Sequence, residues 1–278
     1  MNNKSNIVTQ KSKHGIFSYY KNDKFIGKSL REYGEFSEGE VHLFKQLTKT
    51  NDNVIEVGSN IGTHTIPLAK HLSQGGLLYA LEPQSQNYKI LIKNINQNDL
   101  QNIKVFKIAA SNKKSEAYMN LFDENETNNF GDARIFNKIF TNFEKVSVST
   151  LDELFFHEFN ENKKLGLVKC DAQGQETNII NGSKKIIEKF KPFLYVENDN
   201  IEQSKNLIET IKSLHYSLFW HIVPMFNSKN YLNNSKNIFP KIYSFNMLCI
   251  HKNTRIVIDE DWKKNEIKDS DFHPLKKT

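Results

Sequence analysis

The sequence predicts an α/β fold organised on a seven-stranded, mostly parallel, doubly wound sheet, and two observations carry that expectation. From about Val54 onward, short apolar runs alternate with stretches of helical spacing: NVIEVG with IGTHTIPLAKHL, LLYALEP with SQNYKILIKNINQN, then KVFKIAAS, LGLVKCD with ETNIINGSKKIIEKF, and FLYVEN with IEQSKNLIETIKSL. Two further strand-like runs, YSLFWHIV and SFNMLCIH, follow with no helix between them, which suits an antiparallel pair at one edge of the sheet.

The composition agrees with a globular chain. Its 278 residues are 38% hydrophobic and 25% charged, enough for one large domain with a sizeable core. No stretch nears the roughly 18 consecutive apolar residues of a membrane span. MNNKSNIVTQKSKHG lacks the apolar centre of a signal peptide, so a cytoplasmic protein without a membrane span is expected. The formal net charge is +6, but lysines are spread along the whole chain and no basic block interleaves with aromatics. That pattern reads as a solvated surface, not as a nucleic-acid partner. Cys170 and Cys249 lie in apolar strand-like runs and read as buried thiols.

In chain order, residues 1–50 form a preface. HGIFSYYKNDKFIGKSL alternates like a hairpin turning at Asn22-Asp23, and SEGEVHLFKQLTKT has helical spacing with Ser37 as N-cap and Glu40 three residues later. Residues 51–255 hold the main domain. Its alternation breaks at about 115–148, where EAYMNLF and KVSVSTLDEL read as extra strands flanking DENETNNFGDARIFNK, a polar insertion of the kind that forms a lid or a disordered excursion. Residues 256–278 read as a surface tail.

VIEVGSNIGTHT, from Val54 to Thr65, carries the chemistry. In doubly wound sheets ligands bind beyond the carboxyl ends of the strands, where the first strand turns into its helix. Gly58 and Gly62 let that turn approach a ligand closely. The motif is not the GxGxxG turn that receives a pyrophosphate. It offers instead a carboxylate, Glu56, which repels phosphate and suits positive charge. A second carboxylate, Glu82, ends LLYALEP at the position where an acid accepts both hydroxyls of a ribose. A nucleoside with a cationic sulfonium and no phosphate fits both acids, which points to S-adenosylmethionine. Its expected contacts are Glu56, Gly58, Ser59, Asn60, Gly62 and Thr63 in the turn, Glu82 and Pro83 after the second strand, and Ala110 after the third.

The first motif, ALEP, IAAS from Ile108 to Ser111, STLDEL, VKCDAQGQETNIINGS, PFLYVEN and NMLCI together resemble, in this order, the FkbM-type methyltransferases. The resemblance implies the Rossmann-like sheet of the class I methyltransferases and a cofactor-dependent O-methyltransferase of carbohydrate or other small-molecule acceptors. Two departures are conservative, Glu56 for the usual Asp and Ser59 for the usual Ala. A third is not: in DAQGQE, Gln173 stands where the family commonly has Glu. A cofactor-binding but non-catalytic interaction protein of the same fold is therefore the alternative reading.

Methyl transfer to a hydroxyl needs in-line approach and removal of the hydroxyl proton, by a base or with help from a metal. Asp171 ends the fourth strand of the main sheet, and Glu197, Asn198 and Asp199 follow the fifth. Asp171 and Glu197 are the expected catalytic acids. With Asn198 they also form an oxygen-donor set for Mg²⁺, similar to that of catechol-type methyltransferases; a metal-free base is the other reading. His221 is a further candidate base, and His64 lies in the first helix turn near the cofactor. WHIVPMFNSKNYLNN, with Trp220 and Phe226, is aromatic enough to floor an acceptor pocket. The Pro-Pro-aromatic motif of amino-methylating nucleic-acid enzymes and the Pro-Cys nucleophile of base-carbon enzymes are both missing from the sequence.

Overall fold

The computed structural model describes residues 6–136, 138, 141–159 and 164–277. The ends of the predicted preface and tail (1–5 and 278) and positions 137, 139 and 140 of the predicted insertion lie outside these residues.

The chain opens with a hairpin, β1 (Ile7–Ser12) and β2 (Gly15–Tyr20), paired from Ile7 with Tyr20 to Ser12 with Gly15. The reversal is thus at Lys13-His14, where Gly15 adopts φ +143, and not at Asn22-Asp23. The Asp23 carboxylate instead accepts the amides of Phe25 (3.1 Å) and Gly27 (2.8 Å), starting α1 (Ile26–Tyr33). Ser37 precedes α2 (Glu38–Leu47) in a left-handed conformation, and its hydroxyl donates to the Glu40 side chain at 2.6 Å instead of capping the backbone.

The main sheet begins with β3 (Asn53–Val57), α3 (Thr65–His71), β4 (Leu78–Leu81), α4 (Ser85–Asn96) and β5 (Ile103–Phe106). The chain then leaves it for a small second sheet of β6 (Ala109–Ala110), β7 (Ser115–Asn120), β8 (Ile135–Phe136) and β9 (Phe143–Ser149), in the order β6-β9-β7-β8. β7 and β9 fall on the two extra strands read in EAYMNLF and KVSVSTLDEL, and the polar stretch between them adds the short β8. After α5 (Leu151–Phe155) come β10 (Leu165–Cys170), α6 (Glu176–Asn181), α7 (Lys184–Phe190), β11 (Phe193–Glu197), α8 (Ile201–Ser213), β12 (Tyr216–Pro224), β13 (Tyr243–His251) and α9 (Glu260–Lys264).

The seven strands lie in the order β12-β13-β11-β10-β3-β4-β5. All of β3, β4, β5, β10 and β11 run parallel, and β13 is antiparallel to both β11 and β12. Both faces are covered, as a wound sheet requires: Ile55 and Val57 join a core with Ile179 and Ile208, while Val54 joins Phe44 and Leu68. Each such side chain, fully buried, stabilises by about 1.5–3 kcal/mol. α8 shows how the sequence achieves this. The Asn200 side chain accepts the amides of Glu202 and Gln203, and Ser204, Leu207, Ile208 and Ile211 form one buried stripe.

The sheet order reverses between β3 and β10, because the chain builds outward from β3 on one side and from β10 on the other. The crevice at their carboxyl ends is where ligands bind in such sheets. The tail departs from its reading as a surface segment. Ile267 donates its amide to Leu218 at 2.8 Å and is buried, and buried His273 donates Nε2–H to the Asn198 carbonyl at 2.9 Å. The tail thereby covers part of the exposed edge of β12. Both cysteines are free and buried. Among the described residues no helix is long and apolar enough to cross a membrane.

Candidate functional site

A cavity of about 330 Å³ opens at the carboxyl ends of β3, β4, β10 and β11. Its first side is the turn after β3. Gly58 has φ +79, and a Cβ there would sit 1.8 Å from the Asp171 carbonyl oxygen, so the turns after β3 and β10 touch only because position 58 is glycine. Asn60, also left-handed at φ 50, donates its amide to Glu82 Oε2 at 2.8 Å, and Gln84 donates its own to Oε1 at 2.9 Å. These bonds aim a carboxylate that is 4% exposed. Burial pushes its pKa up to about 7, outweighing the two amides. Ser59, Thr63, Pro83 and Ala110 line the same cavity.

Two residues of the opening motif do other work. Gly62, at φ +92, packs under α4, where a Cβ would meet Leu91 at 2.8 Å, and it does not line the cavity. Glu56 is a correction. It lies beside Lys169 across the β3–β10 pairing, accepts the Thr65 hydroxyl at 2.7 Å, is 1% exposed and does not reach the cavity surface. Burial raises its pKa to about 7.

Lys169, missed in the sequence, is fully buried with Nζ 3.1 Å from Asp171 Oδ2. Burial alone pulls its pKa down, but Asp171, Glu56 and Glu40 together outweigh it and hold the ammonium above the usual lysine range. The signal was a single cation inside the apolar run LGLVKC, two residues before an acid. Glu40 was likewise noted only as a helix-start residue. It is buried, lines the cavity and lies 3.8 Å from His64 Nε2. His64 packs edge-on against Phe44, and burial keeps it well below the usual histidine pKa; its Nε2 has no hydrogen-bond partner among the described residues.

The opposite side of the cavity carries Asp171, Glu197 and Asp199. In DAQGQE, Gln173 and Gly174 are both left-handed (φ 50 and 89), and Glu176 closes the loop by accepting the amides of Ala172 at 2.9 Å and Gly174 at 3.2 Å. This turns the Gln173 amide toward Glu197 Oε2, 3.2 Å away. Glu197 is half-buried and lines the cavity. Burial, then repulsion from Asp171 and Asp199, raises it well above the usual carboxylate range.

Other expectations are corrected by side-chain direction. His221 faces away from the cavity, with Nδ1 2.9 Å from the Tyr195 hydroxyl and its ring against Trp262. Asn198 is buried and does not line the cavity, its amide donating to Ser204 Oγ at 3.0 Å and Met247 Sδ at 3.2 Å, so it does not join Asp171 and Glu197 in the expected magnesium set. Among the described residues no three His, Cys, Asp or Glu side chains converge as metal ligands, and the Asp171 carboxylate faces an ammonium. The residues present do not fit Mg²⁺. Trp220 packs on His273 and Phe226 on Tyr33, so the aromatic segment contributes only Met225 to the cavity. The remaining wall comes from Phe25, Ile26 and Phe36 in the preface, Met119, Ala133 and Ile135 in the second sheet, and Ile242, Tyr243 and Ser244 at the start of β13.

Among solved structures, the chain is similar to a methyltransferase FkbM from Methylobacillus flagellatus KT, at 13% identity and TM-score 0.44 over 73% of this chain and 44% of that one. It thus spans less than half the length of that relative. It is also similar to a precorrin-6y C5,15-methyltransferase from Geobacter metallireducens GS-15 (10% identity, TM-score 0.48, 77% and 86% covered). A third is an O-methyltransferase from Bacillus cereus solved in complex with SAH (15%, TM-score 0.45, 78% and 80%). No curated protein matches the sequence. The profile of the methyltransferase FkbM domain matches residues 56–231, which run from the end of β3 through β12 and take in the turns bearing Gly58, Glu82, Asp171 and Glu197. By that match over more than half its length, the chain belongs to the FkbM methyltransferase family.

Proposed function

We propose that the protein is an S-adenosylmethionine-dependent O-methyltransferase acting on a hydroxyl of a sugar, glycan or other small molecule. The observation that carries this reading is that Glu82 on one side, and Asp171 and Glu197 on the other, open onto one cavity. Beyond its two backbone bonds, Glu82 keeps lone pairs on both oxygens, enough to accept the two hydroxyls of a ribose. Gly58 leaves the closest approach free of a side chain. The cavity volume is within the range of small-molecule sites, about 300–1,000 Å³.

S-adenosylmethionine, when bound, supplies a methyl group on a cationic sulfonium. The rest of the chemistry belongs to the chain. Glu197 takes the proton of the acceptor hydroxyl, its raised pKa bringing its basicity nearer to that of the group it serves. Gln173 holds Glu197 in direction, and Lys169 holds Asp171. Phe25, Phe36 and Tyr243 supply apolar wall against which the acceptor is oriented and water is excluded.

Calorimetry with the full chain tests the first half: S-adenosylhomocysteine binds, and Glu82→Ala weakens it by about 1.5–3 kcal/mol. Mass spectrometry of metabolites and glycans from cells with and without the protein then identifies the acceptor. On that acceptor Glu197→Gln lowers turnover while leaving cofactor affinity in place. Absence of cofactor binding, or equal binding by Glu82→Ala, overturns the reading.

A further inference from the structure

The connection between the edge strands β12 and β13, residues 225–242, turns several of its polar side chains inward and its apolar ones outward. Asn230, 2% exposed, donates to the carbonyls of Asn227 at 2.9 Å and Asn234 at 2.7 Å; Asn227 donates to Glu35 Oε1 at 2.6 Å and Asn234 to the Glu32 carbonyl at 3.1 Å. Exposed instead are Tyr231 (40%), Leu232 (45%), Ile242 (36%) and, at the start of β13, Tyr243 (45%). This exposure is built into the loop. The amides of Tyr231 and Leu232 donate to Glu35 Oε2 at 3.0 Å and the Tyr33 carbonyl at 3.1 Å, and the Tyr33 hydroxyl donates to the Lys236 carbonyl at 2.9 Å while accepting the Ile238 amide at 2.8 Å. A pinned backbone that presents apolar side chains to water marks an interaction surface.

The charge on the same stretch has one sign. Residues 225–243 contain Lys229, Lys236 and Lys241 and no Asp or Glu. All three lysines are exposed, and among the described residues none has a carboxylate partner. The underlying α1 adds Lys28, whose ammonium lies over the Phe239 ring at 5.3 Å, and its one acid, Glu32, is paired with Arg31 at 3.2 Å. Leu232 is bonded to the last residue of α1, and Phe239 stacks on Phe25 just before its first, so the face runs the length of that eight-residue helix, about 12 Å.

We propose that this face docks on an anionic lipid bilayer surface. Leu232 and Ile242 enter the boundary between headgroups and acyl chains, the rings of Tyr231 and Tyr243 lie at headgroup level, and the lysines meet the lipid phosphates. Nucleic acid fits less well, because leucine and isoleucine offer no plane for a base to stack on and the segment has no arginine. Ile242 and Tyr243 also line the large cavity, so docking sets the cavity mouth against the lipid surface. The docking itself does not depend on the reaction proposed above.

The test sediments the full chain with vesicles of pure phosphatidylcholine and of equal parts phosphatidylcholine and phosphatidylglycerol. The protein is expected to pellet with the anionic vesicles, to leave them at high salt, and to stay in solution with the neutral ones. Leu232→Ser and Lys236→Gln each lower the partition coefficient about fivefold, at unfolding temperatures showing that both variants are folded. Neither residue lines the cavity, so both variants keep the native affinity for S-adenosylhomocysteine, which separates lipid docking from the chemistry. No pelleting with anionic vesicles at low salt, equal pelleting with neutral ones, or pelleting undiminished in both variants overturns the proposal. Single-stranded RNA that binds more tightly than the vesicles, and loses that binding in the same variants, assigns the face to nucleic acid and overturns it too.

Discussion

Gln173 donates its side-chain amide to a carboxylate oxygen of Glu197 across 3.2 Å. The neutral amide orients the acid without adding charge to a wall that already holds Asp171 and Asp199. In Gln173→Glu another carboxylate faces Glu197, and like charge raises its pKa further. A base works only when ionised, so the acid limb of the pH–rate profile moves upward, by about one pH unit. Gln173→Ala leaves the limb near its place and lowers turnover about tenfold through loss of orientation. If both variants keep the native rate and profile, Gln173 does not position Glu197.

Glu82 sits near half-protonation at neutral pH because burial has raised it to about 7. Hydroxyl donors favour the ionised form, so binding of S-adenosylhomocysteine at pH 6.5 releases protons. Calorimetry in buffers of different ionisation enthalpy measures that release directly. Glu82→Gln abolishes it and weakens binding; a heat independent of buffer in the native protein would contradict the assigned contact.

Lys169 and Glu56 make a prediction about stability. Removing the buried cation in Lys169→Met leaves Glu56, Glu40 and Asp171 uncompensated and costs about 3–5 kcal/mol in denaturant unfolding. Glu56 has a folded-state pKa near 7, above its unfolded value near 4.5, so the stability tied to its proton is present below the lower value and lost as pH rises through the upper one. Glu56→Gln, which mimics the protonated form, therefore gains stability relative to the native chain between pH 5 and pH 7.5, by roughly 2 kcal/mol. A constant difference across that range would show that Glu56 keeps its charge throughout.

His221 serves as the control. Its ring lies against Trp262 and Tyr195 and does not line the cavity, so His221→Gln leaves turnover and cofactor affinity within about twofold of native. A large loss of rate at unchanged unfolding temperature would return it to the chemistry.

The sheet, its winding and the acids at the strand ends were legible because each rests on a local pattern. Parallel strands buried on both faces are short apolar runs, and the residue after each run lies at the carboxyl rim. What local pattern does not carry is direction. Glu56 and Lys169 are neighbours only through the β3–β10 pairing, which joins distant stretches of the chain. The strand period of two separates Asn198 from Glu197 and Asp199, and His221 from Trp220. In the apolar context of YSLFWHIV no polar alternation marks which face is which. The hairpin was misread for a related reason: Asn22-Asp23 has turn composition, but Asp23 spends its carboxylate on starting α1. The tail was misread because Ile267 and His273 are isolated, and only the surfaces that receive them reveal their burial.

The cavity wall facing the acids is drawn partly from either side of the matched 56–231 span: Phe25, Ile26 and Phe36 before it, Ile242 and Tyr243 after it. Part of the mouth is thereby carried outside the matched domain, while Met119, Ala133, Ile135 and Met225 line it from within. A substitution in either flanking stretch reshapes the mouth while leaving the four rim turns in place. The same division offers the engineer two grafting points that leave Gly58, Glu82, Asp171 and Glu197 untouched.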